Sequence, residues 1–283
     1  MAKLTAFSTA VLAAASFFST TVVASAATTD IPFTFTDGFI RIEARIPQSK
    51  EPLHFLLDSG AGASVLSMRT ARRLHLPLGT SQNVRGVGVD VAAYHLQNVQ
   101  VASNGLALAE IPLAVDLSAA DQLCSLPVDG LVGVEFFRDR VVQIDYAHRV
   151  LHISPHTVGH TTDCLPVRLI NGVMCVPVAV NDSTKRWTRF DTGCNDALHW
   201  VIPRPAGHGD RSAVSIGFIT DESDTALVSV TLGKRALPTV KTALHGHPIF
   251  PGEAGLVGNG ILSQFMVTVD WPNRQVLLGD ASR

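Results

Sequence analysis

Phe55-Leu56-Leu57-Asp58-Ser59-Gly60 and Arg189-Phe190-Asp191-Thr192-Gly193 repeat one pattern: a strand-like run that breaks at an aspartate, a small hydroxyl residue and a glycine. A second pair follows at comparable distance, Asp129-Gly130-Leu131-Val132-Gly133 in the first half and Ala254-Gly255-Leu256-Val257-Gly258 in the second. A lone Asp-Ser/Thr-Gly triplet suits any ordinary turn, but here the context is duplicated too. Beyond the glycine elements the halves align without a gap, so that Asp145 stands against Asp270 and Arg149 against Arg274. Upstream, Gly38 and Gly172 each open an apolar run that leads to the aspartate. A repeat on this scale is read before local propensity, because the repeat unit decides the fold. The unit is a whole lobe, carrying one carboxylate.

On these residues the chain resembles the retropepsin-like aspartic peptidases, in the two-lobed, single-chain form seen in pepsin and in bacterial-type aspartyl proteases. The resemblance covers nearly everything after the leader. It implies an all-β, duplicated acid protease fold, with two β-barrel-like lobes and a cleft between them. It also implies that Asp58 and Asp191 are the catalytic pair, that Ser59 and Thr192 hydrogen-bond across the two loops, and that the Leu-Val-Gly elements pack beside them. Gly60 and Gly193 allow the tight backbone path that a Cβ would obstruct. The resemblance further implies a hairpin flap over the substrate. Gly86, Val87 and Gly88 are the residues for it, with Tyr94 as an aromatic wall, and the region around Ser215-Ile216-Gly217-Phe218 lines the other side. The expected partner is a peptide or protein substrate, with no cofactor and no metal.

Two such carboxylates have a clear chemical use. Like charges a few ångströms apart resist joint ionisation, so one proton is shared and the pair titrates as a unit. The ionised member can take a proton from water while the protonated member polarises the scissile carbonyl. Other signatures are missing from the sequence: there is no His-Glu-x-x-His, no Gly-x-Ser-x-Gly and no phosphate-cradling loop.

The chain departs from pepsin at three places. Gly62 and Asn195 stand where pepsin itself usually has a Ser or Thr type of residue, two places after the motif glycine. Arg189 stands two residues before Asp191 and so on the same side of its strand, where the first half has apolar Leu56. A guanidinium aimed at the pair would favour ionisation and reshape the pH optimum.

Composition bounds the rest. Residues 1–26 have the basic start, apolar middle and Ala24-Ser25-Ala26 end of a secretory signal peptide, so export to a periplasm or the medium is expected. The remainder divides into a lobe over 27–154, a polar linker over 155–163 and a lobe over 164–283, a size that lets each bury its own core. No later stretch is apolar enough to span a membrane, and a monomer is expected. With 22 Lys+Arg against 24 Asp+Glu and no basic cluster, nucleic acid is not an expected partner. Cys124, Cys164, Cys175 and Cys194 are an even count that suits disulfides outside the cytoplasm. Cys194, beside the second motif, reads better as a small buried thiol.

Period-two alternation marks half-buried strands at residues 39–46, 98–101, 140–144 and 227–232. Helix is expected only around residues 64–74 and 118–123. His148, His152, His156 and His160 recur every four residues, which on a helix would align metal ligands. Val150, Leu151, Ile153 and Pro155 favour a strand and solvated linker instead. Two readings compete with the peptidase: a bilobal peptide-binding protein that has lost turnover, and a metal-dependent hydrolase built on those histidines.

Overall fold

The computed structural model describes residues 28–85, 90–155, 163–202, 214–215, 218–219 and 224–281. The protein is mostly β. In the second half, six strands close on themselves: Val173–Val180, Arg186–Phe190, Gly255–Val257, Leu198–Val201, Arg235–His245 and Asp224–Leu232, which returns to the first through Val178 opposite Leu232 and Val180 opposite Val230. The first half runs through the same succession of pairings, Phe39–Ala44, Leu53–Leu57, Gly130–Val132, Val65–Ser67, Leu106–Val115 and Asp90–Ser103. It closes by a single bridge, in which Arg45 and Ala102 exchange N–H···O bonds of 2.8 and 3.0 Å.

In both halves the strand that ends at the motif aspartate runs parallel to the Gly-Leu-Val strand. Leu57 lies opposite Val132, and Phe190 opposite Val257. A third sheet joins the halves beneath them. Its order is Cys164–Pro166, Gln275–Asp280, Phe265–Asp270, Val141–Asp145, Val150–Ser154 and Thr29–Thr36, antiparallel throughout, and the seam pairs Val267 with Ile144 and Val269 with Val142. One apolar cluster runs through both halves, from Phe55 and Leu57 through Val142 and Val267 to Phe190 and Val257. Burial on that scale is the main favourable term in the fold.

The expected elements appear with instructive shifts. Asp224–Leu232 keeps its alternation, with Val228, Val230 and Leu232 buried and Leu227 exposed. Phe39–Ala44 does not. It is buried on both faces, and Arg41, whose place in the alternation is solvent-facing, is covered. The first helix begins at Met68, because Val65–Ser67 is drawn into the sheet between Leu113–Val115 and Leu131. The second helix, Ser118–Leu123, lies where expected. The leader at 1–26 and most of the linker lie outside the described residues. Among the described residues no helix is long and apolar enough to cross a membrane.

Candidate active site

Asp58 and Asp191 each follow the end of a buried strand, and each is fixed at its own amide. Asp58 N–H donates to Val132 O at 2.8 Å, and Asp191 N–H donates to Val257 O at 3.0 Å. The Gly-Leu-Val strand of each half is thus the backbone support of its aspartate turn.

The two turns interlock through their hydroxyl residues. Ser59 N–H donates to Thr192 Oγ1 and Thr192 N–H donates to Ser59 Oγ, both at 3.0 Å. Each hydroxyl then donates to the strand beneath the opposite turn, Ser59 to Phe190 O and Thr192 to Leu57 O, both at 2.8 Å. Both side chains are fully buried, so these four bonds satisfy groups that would be costly to leave unpaired. The glycines have a reciprocal reason. A Cβ on Gly60 would stand 2.5 Å from both carboxyl oxygens of Asp191, and one on Gly193 would stand 2.5 Å from Asp58 Oδ1. Each glycine is the space into which the other turn's carboxyl fits.

The two carboxyl groups are buried side by side, each packed against the glycine of the opposite turn. Ala61 N–H donates to Asp58 Oδ1 at 2.8 Å, and Gly193 N–H to Asp191 Oδ1 at 2.9 Å. Burial, and next the neighbouring Asp191 charge, push Asp58 well above the usual carboxylate range, against the Ala61 N–H, the Arg189 guanidinium and the Gly60 N–H. Burial raises Asp191 as well, opposed chiefly by Arg189. Both shifts favour the protonated carboxyl, the direction expected where two acids are buried together.

Both carboxyls open on a cavity of about 390 Å³. One wall is apolar, made by Val65, Val84, Leu113, Val115 and Leu131; the other is formed by Asn171, Val173, Arg189, Phe250 and Pro251. Gly62 also lines the cavity, and a Cβ there would meet nothing within 4 Å, so its lack of a side chain widens it. Asn195 faces the other way, its amide donating to Asp37 O at 3.2 Å.

Arg189 lines this cavity, but its guanidinium is spoken for. Nε and Nη2 donate to the two carboxylate oxygens of Glu253 at 2.7 Å each, Nη1 donates to Gly60 O at 2.9 Å, and the Phe250 ring stacks on it at 3.4 Å. Arg189 lies on the side of Asp191, as its place in the strand implies, but its charge is held by Glu253. Glu253 lies in an irregular stretch with no motif of its own, so only the folded chain brings the two together. Asn259 was missed for the same reason. Its amide donates to Gly38 O at 2.8 Å and Thr192 O at 2.7 Å while its oxygen accepts from Tyr146 at 2.8 Å, which fastens the second turn to the first half and to the seam sheet.

The other sequence candidates distribute as follows. Gly86, Val87 and Gly88 lie outside the described residues. Tyr94, on the strand Asp90–Ser103, packs against the main apolar cluster and is not among the residues lining the cavity. Of the second region, Ser215 and Phe218 pair in a short hairpin strand, while 216–217 lie outside the described residues. All four cysteines are free, and burial pushes Cys194 well above the ordinary thiol range, with the Asp191 and Asp196 charges adding to it. A thiol held that way is poor nucleophile material. His148 bonds Asp145 at 2.8 Å and His152 bonds Asp30 at 2.7 Å, on a turn and a strand rather than one helical face. His156 and His160 lie outside the described residues.

Residues 42–136 match the model of a family described as aspartyl protease, of retropepsin type. The stretch contains the first aspartate turn and the first Gly-Leu-Val strand and ends before Asp191. A search of curated proteins found no match. The family match supports a protease-type, hydrolytic function.

Proposed function

Proceeding from a protease-type domain, we propose that the chain is an exported aspartic endopeptidase of two lobes, 27–154 and 164–283, acting as a monomer on peptide or protein substrates. The observation that carries this reading is the pair of buried carboxyls of Asp58 and Asp191, side by side on interlocked turns at the floor of a cavity. With one proton between them, the ionised carboxylate takes a proton from a water as that water attacks the scissile carbonyl. The protonated carboxyl hydrogen-bonds the carbonyl oxygen and then protonates it. Collapse of the tetrahedral intermediate, with a proton passed to the leaving nitrogen, breaks the C–N bond and returns the pair to a singly protonated state. The interlocked hydroxyls keep the two oxygens in register for this, which is the orientation part of the catalysis. The matching succession of strand pairings in the two halves supports an origin by internal duplication, and residues 1–26 support export.

The test is cleavage of a mixed peptide library from acid to neutral pH, read by mass spectrometry, with the protein recovered from an exporting host beside its Asp58→Asn and Asp191→Asn variants. Cleavage that disappears in both variants establishes the two-carboxylate peptidase. Silence at every pH from a folded chain would replace it with the peptide-binding reading. Amino-terminal sequencing of the recovered protein checks removal of the leader.

A further inference from the structure

We propose that Arg189 and Glu253 are a positioning pair for the two aspartates. In this reading, which rests on the peptidase proposal, Arg189 ties the first aspartate turn to the second half of the chain, and its charge, tempered by Glu253, sets the pH range in which Asp58 and Asp191 share a proton.

The pair sits where packing does not call for charge. At the corresponding place in the first half, Leu56 is 1% exposed and apolar, so the same backbone is built there without an ion pair. Apolar side chains generally hold such a buried site as well as an ion pair does, or better. Arg189 and Glu253 are nevertheless both buried, their side chains 7% and 1% exposed, and the guanidinium faces the cavity that holds both carboxyls. Its Nη1 bond to Gly60 O acts on the glycine against which the Asp191 carboxyl packs. One side chain therefore touches the first turn while belonging to the strand of the second.

Electrostatics point the same way. In a site screened from water, a fixed positive charge acts strongly on nearby carboxyls, and Arg189 opposes the rise of both Asp58 and Asp191. Glu253 binds the edge of the guanidinium formed by Nε and Nη2, leaving Nη1 turned to the Gly60 carbonyl. Among the described residues, the other titratable groups facing this assembly include His199, which acts on Asp191 and is bonded to Asp196 and His245, Cys194 beside Asp191, and Cys175 on the facing strand.

The experiment follows the carboxyl carbons of the aspartates by carbon-13 NMR across pH in the full chain, together with the pH profile of peptide cleavage. It uses Arg189→Met, Arg189→Lys, Glu253→Gln and the double variant Arg189→Met/Glu253→Gln, which leaves no unpaired charge behind and so keeps a folded comparison. Arg189→Met and the double variant should move both curves to higher pH, and Glu253→Gln should move them to lower pH. Arg189→Lys should keep the curve near its place yet lower kcat through the lost Gly60 contact. Curves that stay put in the folded double variant, or single variants that shift in the same direction, would overturn the proposal. Should the unaltered chain cleave nothing, the peptidase reading falls, while the NMR titration still decides whether the pair governs the two carboxyls.

Discussion

Two arginines reach the stretch just ahead of Gly-Leu-Val, one in each half, and they start from opposite members of the same strand pair. In the first half Arg41 lies across from Leu56, and its guanidinium donates to Leu126 O at 2.6 Å and Pro127 O at 2.9 Å. In the second half the arginine is Arg189, across from Cys175, and it grips the Glu253 carboxylate. Exchanging the arginine between strands costs the backbone nothing visible, since both Gly-Leu-Val strands pair alike. It changes the electrostatics instead. Only on the strand that runs into the aspartate does the charge arrive beside the carboxyls. Two halves that match in hydrogen-bond pattern are thus unequal in the field they impose, and a shared-proton pair is the chemistry most sensitive to that difference.

The most severe test of the equivalence of the halves is removal of either carboxyl. Asp58→Asn and Asp191→Asn should each reduce kcat/KM for peptide cleavage by at least about 10³-fold, within the range general acid–base groups supply; a variant retaining activity would show that one half is dispensable. Next come the arginines. Arg189→Met leaves the buried Glu253 without its charge partner, held only by the Asn171 amide, and should cost about 3–5 kcal/mol of stability in urea unfolding. Arg41→Met leaves two neutral carbonyls unpaired and should cost about 1–3 kcal/mol. Equal losses would erase the distinction between a charged clamp and a neutral one. The hydroxyls should behave alike across the halves: Ser59→Ala and Thr192→Val should each cost about 1–3 kcal/mol by orphaning a buried N–H and loosening the pair. The smallest effect concerns pH. Because folding raises Asp58 above its unfolded value, the folded chain holds the proton more tightly, so this contribution is full at acid pH and is lost as pH rises through the folded value. Denaturation of Asp58→Asn across pH should lack that loss, gaining on the unaltered protein from acid toward neutral.

Much of the site was legible because it repeats. Asp58 and Asp191, their hydroxyl neighbours and their glycines lie in contiguous motifs, and a motif stated twice is hard to mistake for a turn. The cross-bonding of Ser59 and Thr192 came by resemblance, and the geometry agrees with it. The alternation in 227–232 was a sound guide, since that strand has one wet face. Alternation failed at Arg41, because a strand covered on both sides can bury a polar side chain wherever carbonyls wait for it. The helix expected from Ser64 onward failed at its first turn for a related reason: Val65–Ser67 has two sheet neighbours that local propensity does not register. Glu253 and Asn259 were not legible at all.

By itself the sequence determined the all-β class, the place of both aspartates at the ends of strands, and the small residues around them, because each of these is encoded within a few consecutive positions. Tertiary structure alone decided who neutralises Arg189, which carbonyls receive Arg41, and how Asn259 fastens the second turn to Gly38. Those bonds join residues 64 to 221 positions apart. Their partners are fixed only when closing both halves over the seam sheet leaves buried polar groups that must find one another or remain unpaired.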